Sequence, residues 1–174
     1  MDILPEEYIV GFVDGEGCFS INFRKDVRHE RTNKPIYYSW KIQFSIVLRK
    51  DDIEILKRIR ATLDCGSISI GERGFARYQV TDVRELYEKI MPFFEKNNLQ
   101  AKKRFDFELW KEALEIIFRT KRKEINARPG VSGFVKTNWI KEDLERLESI
   151  NQELIGLRQI LKPHKWVGNR SSAL

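Results

Sequence analysis

An α+β domain in the order αββαββα is what the sequence predicts: one layer of helices on a concave antiparallel sheet, with extra helices at the C-terminal end. Two observations carry that expectation. Apolar and polar residues alternate with period two in paired stretches, 19–24 with 37–48 and 67–70 with 75–80, and apolar residues at helical spacing follow each pair. A length of 174 residues suits one domain with its own core. The expected division is a core over about 4–120, a helical extension over about 121–161 and a polar tail over 162–174.

The first element is a helix over residues 4–15, with Pro5, Glu6 and Glu7 at its start and Gly15 at its end, which are start and stop signals in the right order. Phe19, Ile21 and Phe23 then alternate with Ser20, Asn22 and Arg24 as a strand, and a charged loop is expected from Lys25 to Pro35. A longer strand follows from Tyr37 to Leu48. Asp51 or Asp52 is placed to cap a helix carrying Ile53, Leu56, Ile59 and Leu63. The pattern repeats with Ser67 to Ile70, a turn at Gly71 to Gly74, and Phe75 to Val80. Asp82 opens a helix bearing Val83, Leu86, Ile90 and Phe94, and further helices are expected near 101–119 and 141–161.

Helices covering one sheet face leave the other in contact with something polar. If the alternation holds, that face carries Ser20, Asn22, Arg24, Tyr37, Ser39, Lys41, Gln43, Ser45, Ser67, Ser69, Arg77 and Gln79. Such side chains read base edges in a DNA major groove, which admits a two-stranded ribbon; a merely solvated face would look the same. Arg28, Arg31 and Lys34 in the first loop and Arg73 in the second would extend contacts towards the ends of a site. Lys and Arg number 32 against 26 Asp and Glu, a net charge of +6 that leans towards a polyanionic partner. The run from Lys96 to Lys123 adds a basic patch or a solvated helix face.

Other classes lose support on composition. The apolar stretch Tyr8 to Val13 is far below the roughly 18 residues of a membrane span and follows acids rather than a basic leader, so neither membrane insertion nor a targeting signal is expected. Two cysteines, Cys18 and Cys65, and two histidines, His29 and His164, make neither a disulfide framework nor a four-ligand zinc site. An intracellular setting, cytoplasm or organelle, is the expectation.

The chemistry concentrates in Asp14-Gly15-Glu16-Gly17. Carboxylates at the negative end of a helix macrodipole are unfavourable by roughly 0.3–1 kcal/mol each, so a cation is expected there. Oxygen donors flanked by glycine suit a hard divalent ion such as Mg2+; the plainer alternative is a helix-terminating Gly15 with two solvated acids. Gly11 and Gly15 lie four apart beside Tyr8 and Phe12, a spacing that lets two helix backbones approach closely. A helix packed on its own copy would bring two Glu16 carboxylates together.

Residues 8–17, Tyr-Ile-Val-Gly-Phe-Val-Asp-Gly-Glu-Gly, resemble the motif of LAGLIDADG homing endonucleases. Phe44 to Leu48 with Lys50-Asp51 resemble the family's second strand and the helix start after it, and Lys102 to Phe107 resemble its basic stretch before a late helix. One motif implies the homodimeric branch. The resemblance implies the family's αββαββα fold and cleavage of double-stranded DNA at a long, nearly palindromic site. It implies Mg2+ held by Glu16 and the Gly15 carbonyl, with Mn2+ substituting and Ca2+ supporting binding without cleavage. Lys102, or Lys103 one position on, corresponds to the catalytic-centre lysine. The polar residue that organises water at the end of the second strand falls on Leu48 or Arg49. Val10 departs from the family's alanine. Two other readings share the basic surface: an intron RNA-binding maturase that helps splicing, and a DNA-binding regulator that does not cleave.

Overall fold

A computed structural model describes residues 3–27, 36–127 and 139–160, with side chains described over 3–24, 39–120 and 139–157. The chain runs α1 (Glu6–Glu16), β1 (Gly17–Val27), β2 (Ile36–Arg49), a 3-10 turn (Lys50–Asp52), α2 (Ile53–Leu63), β3 (Ser67–Ile70) and β4 (Phe75–Val80). It continues through α3 (Val83–Glu85), a π-helical turn (Leu86–Ile90), α4 (Met91–Lys96), α5 (Lys103–Ala127) and α6 (Lys141–Ile160). The strands form one antiparallel sheet in the order β1-β2-β4-β3, so two hairpins meet at β2 and β4. This is the expected α+β order.

Alternation decides which face is covered. Phe19, Ile21, Trp40, Ile42, Phe44, Ile46, Tyr78 and Val80 are buried beneath the helices, one hydrophobic core with Phe94, Phe107 and Trp110. Phe19 is the hub, with ring centroids 5.1–5.4 Å from Phe44, Phe94, Phe107 and Trp110. Trp110 also donates its indole N–H to the Gln43 carbonyl at 3.1 Å, satisfying the one polar atom it brings into the core. Leu147, Ile150 and Leu154 of α6 join the same core, and α5 passes residue 120 without a break. Of the four tryptophans, Trp40 and Trp110 are buried and Trp139 packs against the core.

Four local expectations change. Lys25 to Val27 are strand rather than loop, because the β1–β2 ladder continues to Val27 opposite Ile36. Asp52 precedes α2 but makes no capping bond; Asp51 is engaged by Arg49 and a 3-10 turn leads into the helix. Asp82 does cap, accepting from the Arg84 and Glu85 amides at 2.9 and 3.0 Å, yet the helix it opens passes through a π turn. The helix expected to end near 119 reaches Ala127.

Helix α6 is held on α5 by a bidentate pair, Arg146 to Glu112 at 2.6 Å for both contacts. These hydrogen bonds hold the Glu112 carboxyl below its ordinary value of 4.5. A depressed carboxylate gives stability that is complete above its unfolded value and is lost as pH falls through the folded one. Glu112→Gln is therefore expected to lower Tm at pH 7 and to converge on wild type at acid pH, once the folded carboxyl, held below 4.5, is protonated, with an effect within about 1 kcal/mol because the pair is partly solvated. Equal Tm differences at both pH values would contradict it.

Candidate functional site

The uncovered sheet face is built by the register. Rows run Cys18–Ser45–Gln79–Ser67, then Val47–Arg77–Ser69, with Ser20–Gln43, Asn22–Lys41 and Arg24–Ser39 towards the β1–β2 end. Asn22, Arg24, Lys41, Ser67, Ser69 and the turn residue Arg73 are exposed, and Ser39, Gln43, Arg77 and Gln79 are half-buried. Ser20 and Ser45 lie on this face but are buried, at 4% and 5% exposure. Tyr37 falls in register opposite Asp26. Arg28, Arg31 and Lys34 lie outside the described residues. The register adds Cys18, Val47, Arg49 and Phe75 to the face. Continuing the alternation past the polar positions would have found them.

At one edge of this face, α1 passes into β1 with no intervening loop. Gly17 allows that corner, since a Cβ there would lie 2.5 Å from Val13 Cγ1 and 2.8 Å from the Val13 carbonyl oxygen. Glu16 is therefore fixed at the turn, exposed, with no hydrogen bond or ion pair among the described residues. Asp14 behaves differently. Its Oδ2 accepts the Gln100 backbone N–H at 2.8 Å, while Oδ1 is buried with no partner among the described residues.

The lysines separate too. Lys103 is half-buried and donates its ammonium to the Gly17 carbonyl at 2.5 Å. It supplies the cation that the end of α1, with no basic residue in its last turn, lacks. Lys102 is exposed, and its ammonium has no partner among the described residues. Both line a cavity of about 580 Å³ with Asp14, Gly15, Phe105, Asp106 and Leu157. Leu48 packs against the core, and exposed Arg49 is engaged by Asp51 at 2.6 and 3.1 Å. Val47 is the face residue next to Ile46, which pairs with Gly17, and Arg49 lies two residues further along the same face.

Much of the basic run is spent inside the fold. Lys96 pairs with Glu6, Lys111 with Glu95 and Glu108, and Arg119 with Asp143. Cys65 meets the Tyr78 hydroxyl at 3.6 Å, and burial pushes both groups above their ordinary values, so they stay protonated. Along α1, Tyr8, Gly11 and Gly15 are exposed and Phe12 is half-buried, and a Cβ at either glycine would meet nothing within 4 Å. This stripe is open in the single chain.

Among the described residues no three His, Cys, Asp or Glu side chains gather as a metal site. At the corner between α1 and β1, one chain offers the unengaged carboxylate of Glu16 beside exposed Gly15. That donor set fits an ion such as Mg2+, which takes one or two protein carboxylates and fills its shell with water and phosphate oxygens. No helix among the described residues is long and apolar enough to cross a membrane.

The comparisons agree with this geometry. "Probable intron-encoded DNA endonuclease 1" of Mycosarcoma maydis is 33% identical over 101 residues, 58% of this chain and 34% of that protein. The chain spans about a fifth to a third of the length of such curated relatives. The crystal structure of a homing endonuclease, I-TnaI, shares the fold with a TM-score of 0.64 at 24% identity, covering 92% of this chain and 100% of that one. I-SmaMI bound to uncleaved DNA target in the presence of calcium ions gives 0.64 at 23% identity, over 96% of this chain and 53% of the other. The LAGLIDADG endonuclease family model matches residues 9–114. With more than half its length under that match, and the motif standing at the corner between α1 and β1, the chain belongs to the LAGLIDADG endonuclease family.

Proposed function

We propose that this protein is a site-specific homing endonuclease that hydrolyses double-stranded DNA at a long, nearly palindromic site, acting as a homodimer with Mg2+. The observation that carries the reading is the exposed, unengaged Glu16 at the end of a helix whose Gly11 and Gly15 stripe lies open, at the edge of a polar sheet face. Two copies crossing at that stripe would bring two Glu16 carboxylates together, with the two polar faces side by side along a duplex.

Glu16 and the Gly15 carbonyl would hold the ion, which when bound polarises the scissile phosphate, activates water and stabilises the leaving 3′ oxygen. Lys102, whose ammonium is uncommitted, offsets charge on the phosphate; Lys103 is committed to Gly17 and acts through the backbone. Asn22, Arg24, Lys41, Gln43, Arg77 and Gln79 supply base and backbone contacts. Mn2+ substitutes for Mg2+, and Ca2+ supports binding without cleavage, in keeping with the calcium complex of I-SmaMI on uncleaved DNA. The setting is intracellular.

The test is cleavage of a plasmid library of near-palindromic sites. Mg2+ is expected to give double-strand breaks that EDTA abolishes, with log K for binding falling by about 0.9 per phosphate contact against log salt. Binding without nicking in any metal would make it a regulator, and binding to structured intron RNA without cleavage would make it a maturase.

A further inference from the structure

Helix α1 and the segment from Lys96 to Lys103 lie alongside each other, joined at three points. The Lys96 ammonium meets Glu6 at 2.7 and 3.0 Å, the Gln100 amide donates to Asp14 at 2.8 Å, and the Lys103 ammonium donates to the Gly17 carbonyl at 2.5 Å. The second and third ties each join residues 86 apart in sequence. Glu16 and Lys102 have the same separation and sit between them. Leu99, buried at 5% exposure, anchors the segment between its ties.

We infer that Asp14 is a positioning residue: with Lys103 it clamps the 96–103 segment to α1, so that Lys102 is held in register with Glu16 of the same chain. The inference rests on the nuclease reading for its catalytic consequence. Asp14 reaches the reacting atoms only through the backbone at Gln100. The charge on Asp14 is secondary to its acceptor oxygen, because the other carboxylate oxygen is buried with no partner among the described residues. An asparagine can present its oxygen to the Gln100 amide and place its NH2 where nothing is bonded. Lys103 uses its charge on a carbonyl at the negative end of α1, which explains why two adjacent lysines have different fates.

The test uses the full chain with two readouts. In wild type the Gln100 amide is expected to be protected from hydrogen exchange. Asp14→Ala should speed its exchange about fivefold to tenfold, the worth of one hydrogen bond, while amides of the β1–β2 ladder stay unchanged. On a library-selected DNA target, Asp14→Ala should lose about 10–100-fold in single-turnover cleavage with unchanged Ca2+-supported binding, and Asp14→Asn should recover most of it. If Asp14→Ala does not fold, Lys103→Met opens the other tie and should show the same split between cleavage and binding. Gln100 exchange that is alike in wild type and variant, or wild-type cleavage by Asp14→Ala, overturns the clamp. An Asp14→Asn as inactive as Asp14→Ala, with metal-dependent binding lost, overturns it in favour of direct ligation. Wild-type protein that cleaves no target overturns the nuclease reading and the catalytic consequence, while Gln100 exchange still decides whether the clamp exists.

Discussion

Glu16→Gln is expected to abolish double-strand cleavage and to leave DNA binding standing. The substitution keeps size and one acceptor oxygen but removes the charge that a divalent ion needs. Even the outer partners of metal ligands are worth about 10–100-fold, so loss of the ligand itself is expected to lower cleavage by at least about 100-fold. Stability should not move by more than about 0.5 kcal/mol, because Glu16 is exposed and engages nothing among the described residues. Binding in Ca2+ should keep its salt slope, since that slope counts phosphate contacts made elsewhere on the sheet face. The assay is cleavage and filter binding on one library-selected target. Cleavage at the wild-type rate would remove Glu16 from the chemistry.

The hairpins were legible because a half-buried antiparallel strand must alternate, and every polar-face residue read from β1, β2, β3 and β4 falls in one set of register rows. Alternation reports direction and not depth. Ser20 and Ser45 point to the open face yet are buried. The apolar members Val47 and Phe75 escaped a reading that sought polar residues, although their register is as definite. Capping divided for a similar reason. Asp82 is free to accept from its own helix, whereas Asp51 has Arg49 two residues away as a stronger, charged partner.

At the site, the motif was readable as a string, and its chemistry follows from the corner Gly17 permits. The division of labour between Lys102 and Lys103 was not readable. Two adjacent lysines at the start of a helix point in directions about 100° apart, and only the fold says which one meets the Gly17 carbonyl. The cation expected at the acidic end of α1 is in part this lysine. The case for a metal therefore rests on Glu16, which Lys103 leaves unengaged, rather than on the helix dipole.

Gly11→Leu is expected to give a folded monomer that no longer makes double-strand breaks. In the single chain a Cβ at Gly11 meets nothing within 4 Å, and its φ is not in the left-handed region, so the helix accepts a side chain without strain. Leucine also exceeds glycine in helix propensity by about 0.8 kcal/mol, so α1 itself is stabilised. The clash arises only where another helix crosses at Gly11. Mass action sharpens the readout: if two copies associate, wild-type Tm rises with protein concentration, and in Gly11→Leu that dependence disappears. Sedimentation velocity should show the variant as a single chain, its DNA affinity reduced because half the sheet surface remains on each molecule. An active dimeric Gly11→Leu would move the contact off α1 and leave Tyr8, Gly11, Phe12 and Gly15 as ordinary surface, whereas a monomer that nicks one strand would assign one strand to each copy's Glu16.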